Sequence, residues 1–104
     1  MSVLLEFSIF PTDKGESVSR YVGPVIQSIR DSGVDYQLTP MGTIIETNSL
    51  EQALGLVQQA YQVLELAGCR RIHAALKLDI RQGKEHRLQG KVDVIRSQIG
   101  EVCT

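Results

Sequence analysis

From Val3 to Phe10 the chain alternates: Val3, Leu5, Phe7 and Ile9 fall on one side and Leu4, Glu6, Ser8 and Phe10 on the other. That is the period of two expected of a half-buried strand. Pro11 ends the run, and Thr12-Asp13-Lys14-Gly15-Glu16 reads as a polar loop. The period then changes. Val18, Val22, Val25, Ile26 and Ile29 share one stripe of a helix that Ser17 or Ser19 would cap and Gly33 would stop. Pro24 within it removes an amide, which predicts a kinked or late start. Val34, Tyr36 and Leu38 alternate again up to Pro40, and Thr43 to Thr47 gives a third strand. The intervening Met41-Gly42 predicts a tight antiparallel hairpin.

Ser49-Leu50-Glu51-Gln52 fits a capping box, and Leu50, Leu54, Val57, Tyr61 and Leu64 are the expected buried stripe of the helix it opens, with Gly68 beyond the end. Ile72, Ala74, Leu76, Leu78 and Ile80 then alternate with His73, Ala75, Lys77, Asp79 and Arg81, a strand with one apolar and one polar face. The spacing of Leu88, Val92, Ile95 and Ile99 predicts a last helix, stopped by Gly100.

The order is strand, helix, strand, strand, helix, strand, helix. Two strand-helix-strand units around a central hairpin predict an α+β, ferredoxin-like βαββαβ fold with an extra C-terminal helix. Right-handed crossovers put both main helices on the same side of a four-stranded antiparallel sheet. We expect all helices on one face, and one domain over residues 1–104, since a chain of 104 residues makes about one core.

Helices on one face leave the other bearing Glu6, Ser8, Phe10, Gln37, Thr39, His73, Ala75, Lys77, Asp79 and Arg81, together with Ile44 and Glu46 if the hairpin is regular. Leu4, Phe10 and Ile44 would lie exposed beside one another there, so we expect a second copy of the chain to cover them. Ionisable groups enclosed in such an interface are costly unless paired or bound to something. This singles out Glu6, Glu46, His73 and Lys77. The plain alternative is a cross-strand ion pair of Lys77 with Glu6 or Glu46.

Charge and composition narrow the classes. Eleven basic and twelve acidic residues leave a formal net charge of −1, so no global field draws the chain to nucleic acid or to an anionic membrane. No apolar run approaches the ~20 residues of a spanning helix, and the first residues carry no basic leader, so a cytoplasmic location is expected. Cys69 and Cys103 stand apart from any metal-ligand spacing and read as small buried or half-buried side chains. There is no phosphate loop, dinucleotide fingerprint, paired-His helix or nucleophile elbow, and no catalytic residue, metal or cofactor is assigned. His73 and His86 each stand alone. The aromatic signature of RNA-binding sheets is also missing.

Several segments in order nonetheless look familiar: Pro11, Gly15-Glu16-Ser17-Val18-Ser19 with Tyr21-Val22, Ser32-Gly33, Pro40-Met41-Gly42-Thr43-Ile44-Ile45-Glu46, and Lys77-Leu78-Asp79-Ile80-Arg81. Together they resemble the small thiamine-binding proteins of the YkoF-like group, the Pro-Met-Gly-Thr-x-x-Glu run being the most specific. The resemblance implies a ferredoxin-like subunit, assembly as a dimer of dimers, and binding of thiamine (vitamin B1) or its hydroxymethylpyrimidine part without turnover.

Thiamine is a cation carrying an aminopyrimidine, so its site wants an acceptor for the amino group, a carboxylate or hydroxyls, and apolar walls. Glu46 would supply charge, Thr43 and Ser8 hydroxyls, and Met41, Phe10 and Ile44 the walls, while Lys77 would orient a carboxylate. Thr43 and Glu46 have opposite strand parity, so both reach one ligand only with a bulge, with Thr43 still in the turn, or at a subunit junction. The competing classes are a small oligomeric enzyme with Glu46 or His73 as general base, and a regulatory or structural oligomer with no ligand.

Overall fold

Ten residues of alternating polarity make a central strand, matched in length only by its edge neighbour. The computed structural model describes residues 1–104, as β1 (Ser2–Pro11), α1 (Ser19–Asp31), β2 (Asp35–Thr39), β3 (Gly42–Thr47), α2 (Leu50–Leu66), β4 (Ile72–Arg81) and α3 (Arg87–Ile99). The sheet order is β2-β3-β1-β4 with every neighbour antiparallel. This is the ferredoxin-like arrangement with an added C-terminal helix.

One side of β1, Val3, Leu5, Phe7 and Ile9, is buried against Val25 and Ile29 of α1, Ile45 of β3, and Ala53, Leu56, Ala60 and Leu64 of α2. Each large aliphatic group so enclosed contributes about 1.5–3 kcal/mol. The two crossover helices therefore share one face, as expected.

Three local expectations need correction. The α2 stripe is rotated: Ala53, Leu56, Ala60 and Leu64 are buried, whereas Leu50, Leu54 and Tyr61 are exposed. The alanines bring the helix close to the sheet, and Tyr61 turns outward to donate to Glu65 at 2.6 Å. Helix α1 begins at Ser19 with Val18 in the cap position and no side-chain cap, so neither Ser17 nor Ser19 serves. Ser49 does cap α2, accepting the Gln52 amide at 3.1 Å, while Gln52 returns a carbonyl to the Asn48 amide at 3.2 Å.

The third correction is α3. Its first turn is bonded to Ser2, Glu46 and Asp79, which carry the parity of the face opposite the core. The last helix thus docks on the side that α1 and α2 leave open. It buries only Arg87; Ile95 and Ile99, expected on its inner stripe, are exposed. A polar clamp holds its first turn, and of the expected apolar stripe Leu88 and Val92 are half-buried.

Candidate functional site

The β2–β3 hairpin turns on Pro40-Met41, with Thr39 paired to Gly42. Proline presets the backbone angle for the first corner of such a turn. The Thr39 hydroxyl accepts the Met41 amide at 3.2 Å and donates to the Gly42 carbonyl at 2.8 Å, which spends that side chain on the turn. Gly42 is needed for a separate reason: a Cβ there would lie 2.9 Å from the Phe7 carbonyl oxygen. The hairpin leans directly on β1.

Beyond that contact β1 overruns its partner. Its pairing with β3 stops at Phe7–Thr43, whereas its pairing with β4 continues to Pro11–Ile72. The Thr12 amide donates to the Arg71 carbonyl at 2.8 Å, which fixes the alternation of the β1–β4 ladder. Ser2, Leu4, Glu6, Ser8 and Phe10 direct their backbone groups to β4; Val3, Leu5 and Phe7 direct theirs to β3. Ile9 follows the second set, and no β3 residue stands opposite it. One amide and one carbonyl of the same residue are left facing a gap.

That gap is a groove of about 400 Å³. Phe7, Ser8, Ile9 and Phe10 form its floor, Val18, Val22, Val25, Ile26 and Ile29 of the α1 side one wall, and Leu38 to Thr43 the other. Ten of its fifteen lining residues are hydrophobic and none is ionisable. Ser8 and Thr43 both line the groove, and their hydroxyls take no part in the side-chain hydrogen bonds of the chain. Phe10 sits at the rim, its ring 5.2 Å from that of His73 across the β1–β4 ladder. Such a hollow can take a flat ring of modest size, offer its edge a donor and an acceptor, and leave a charged substituent outside.

Of the residues singled out from sequence, Ser8, Phe10, Met41 and Thr43 meet in this groove. A smaller hollow of about 110 Å³ on the opposite face shares Phe7, Ser8 and Met41 with it and is lined by Glu6 and Lys77. Lys77 stands opposite Glu6 in the ladder. Ile44, between Glu6 and Gln37, lines neither hollow. Strand β3 has no bulge, so Thr43 and Glu46 face opposite sides.

Glu46 is outside the groove because its carboxylate is committed elsewhere. One oxygen accepts the Ser2 hydroxyl at 2.5 Å and the Arg87 amide at 3.0 Å; the other accepts the Leu88 amide at 2.9 Å. Burial raises the pKa of this group, but the Ser2 hydroxyl, the two amides and the Arg87 charge outweigh it and hold the carboxyl below its ordinary 4.5. The Arg87 guanidinium, itself buried, donates to the Ser2 hydroxyl and to the carbonyls of Ser2 and Asp79, and pairs with the Asp79 carboxylate at 3.1 Å. Arg87, then Lys91, lower the pKa of Asp79 by hydrogen bonding. Neither the Lys77–Glu6 nor the Lys77–Glu46 ion pair weighed above is formed; the acid at 46 has the start of α3 as its partner.

Sequence reasoning missed the groove's α1 wall and the Ile9 backbone. The signals were present: the α1 stripe is wider than the core requires, and the first alternating run is longer than that of its hairpin neighbour.

A model of the family described as thiamine-binding protein matches residues 5–96. The chain belongs to that family. A UPF0045 protein of Mycobacterium bovis is 35% identical over 95 residues, covering 91% of this chain and 92% of the relative. Among solved structures, a UPF0045 protein of Methanocaldococcus jannaschii is 32% identical, with 90% and 95% of the two chains covered and a TM-score of 0.79. A DUF77 domain from Bacillus cereus is 28% identical, with 94% and 93% covered and a TM-score of 0.81. In this member of the thiamine-binding family no group of three or more His, Cys, Asp or Glu side chains is placed to hold a metal ion. No helix is long and apolar enough to cross a membrane.

Proposed function

We propose that the groove binds thiamine or its hydroxymethylpyrimidine part, and that the protein sequesters or delivers this ligand in the cytoplasm without transforming it. The observation that carries the reading is the union, in one hollow, of apolar walls with the unpaired amide and carbonyl of Ile9. An aminopyrimidine presents an amino donor beside a ring-nitrogen acceptor, the complement of one strand residue's carbonyl and amide. Ser8 and Thr43 add hydroxyls. The thiazolium cation has no counter-charge inside the groove and belongs at its mouth, near the hollow where Glu6 and Lys77 lie opposed. A groove without a titratable side chain supports binding over catalysis, since proton transfer needs such a group within reach.

The same reading includes self-association as a dimer of dimers, favoured by the exposed apolar side chains on β4 and α3. Isothermal titration with thiamine and, separately, with hydroxymethylpyrimidine tests the groove. Both are expected to bind. Absence of heat at millimolar ligand with folded protein would overturn the proposal.

A further inference from the structure

Two hollows of this molecule meet around the end of β3. The groove and the smaller hollow of about 110 Å³ share Phe7, Ser8 and Met41, so a molecule seated in the first has the second directly beside it. The β1–β4 register lays out that second hollow. On the face away from the core Glu6 stands opposite Lys77, Ser8 opposite Ala75 and Phe10 opposite His73. Small side chains in the middle make a floor, with a charged pair on one flank and an aromatic pair on the other. The flanks are about 13 Å apart, four residues of strand. Met41 brings the hairpin tip to the same hollow.

Opposite charges directly across a ladder ordinarily attract. Here neither Glu6 nor Lys77 takes part in any ion pair of the chain. The ladder gives the cause. Glu6 and Lys77 form one of its hydrogen-bonded pairs, in which the Cα atoms stand about 5.5 Å apart and side chains are held wider than in the alternate pairs at about 4.5 Å. Asp79, the next ionisable group on that face of β4, is taken by Arg87 and Lys91. One carboxylate and one ammonium are thus left open at the hollow. Their signs select an occupant: a simple cation meets Glu6 but is repelled by Lys77, and a simple anion meets the reverse. A cationic ring with an anionic arm suits both.

We infer that this hollow is a subsite for a phosphorylated thiazolium, so that the protein takes the phosphate monoester of thiamine in preference to thiamine itself. The inference rests on the pyrimidine occupying the groove. The thiazolium then lies over Ser8 and Ala75, with the Phe10 ring and the Glu6 carboxylate as partners for its charge, and its hydroxyethyl arm leads to Lys77. A phosphate on that arm places a dianion at the one uncommitted ammonium. A diphosphate adds negative charge against the same single lysine and beside Glu6.

Isothermal titration of the full chain at pH 8, where a phosphate monoester of second pKa about 6 is a dianion, compares hydroxymethylpyrimidine, thiamine, thiamine monophosphate and thiamine diphosphate. The monophosphate is expected to bind about five-fold tighter than thiamine, the upper end for an ion pair in contact with water, and the diphosphate no tighter than the monophosphate. That advantage should fall below about two-fold at ~0.5 M salt, a measurement that needs no variant. It should fall likewise in Lys77→Met, which keeps the stem and removes the charge. Glu6→Gln should weaken thiamine relative to hydroxymethylpyrimidine and enlarge the advantage of the monophosphate. Each comparison is a ratio between two ligands on one protein, so a general loss of affinity in a variant leaves it readable. If thiamine and hydroxymethylpyrimidine bind while the monophosphate binds equally or more weakly, the subsite is overturned and the groove stands. An advantage that survives both salt and Lys77→Met removes the phosphate from Lys77 and overturns the inference. Absence of binding by all four ligands overturns groove and subsite together.

Discussion

Replacing Glu46 by alanine removes the one side chain that ties α3 to the sheet from both ends of a carboxylate. Two helix amides and the Ser2 hydroxyl lose their acceptor, and the buried Arg87 guanidinium keeps only Asp79 as its counter-charge. A hydrogen bond to a charged group contributes about 1.5–3 kcal/mol, and stripping one partner from a buried pair costs about 3–5 kcal/mol. Asp79 is more than half exposed and part of the penalty is relieved by water; about 3 kcal/mol is the reasonable figure. The loss should be local. Arg87 is the only buried residue of α3, so the helix can leave without opening the apolar core. Hydrogen exchange at pH 7 is the assay: amides of residues 87–99 should exchange about 100-fold faster, the equivalent of about 3 kcal/mol. Amides of β1 and α2 should hardly change, and thiamine affinity should stay within about two-fold, well under the 1.4 kcal/mol of a decade. Unaltered α3 protection combined with lost binding would refute this reasoning and return Glu46 to the ligand site.

Three further outcomes are expected. The Glu46 and Asp79 pKa values are both lowered in the fold, so their stabilisation is complete above the ordinary carboxylate range and is lost as pH falls through the lowered values. The gap in thermal midpoint between wild type and Glu46→Ala should therefore be constant from pH 7 to 5 and shrink below 4.5, as followed by circular dichroism. Gly42→Ala drives a methyl to 2.9 Å from the Phe7 carbonyl; it should cost about 1–3 kcal/mol in denaturant melts and weaken ligand binding by deforming the groove. Thr43→Val keeps the shape of the groove and removes a hydroxyl, so titration should show affinity reduced by about 2- to 12-fold, the value of a lost neutral hydrogen bond, with the fold intact. An unchanged affinity would mean that the ligand does not touch Thr43.

The strands were legible because alternation is a short-range signal that partners reinforce: Val3 to Ile9, Tyr36 to Leu38 and Thr43 to Thr47 all face as their parity says. Helix faces were less so. In α2 the larger Leu54 and Tyr61 outweigh Ala53 and Ala60 on any reading by hydrophobicity, yet close approach to the sheet favours the small residues. Position α3 on the far face followed from Arg87, which in sequence is one more charge in a charged turn. The groove was half visible. Met41 and Thr43 come from the hairpin motif and Ser8 and Phe10 from β1, but Ile9 contributes through its backbone, and side-chain chemistry gives no hint of that. Whether a strand edge is vacant depends on where its neighbour ends in space.

The hairpin tip shapes the hollow without carrying the core. Pro40 and Met41 lie outside every ladder contact, and Met41 is 89% exposed, yet both border the hollow. A change of side chain at the tip would therefore reshape the lip of the cup while leaving its base, set by Val3, Leu5 and Ile45, in place.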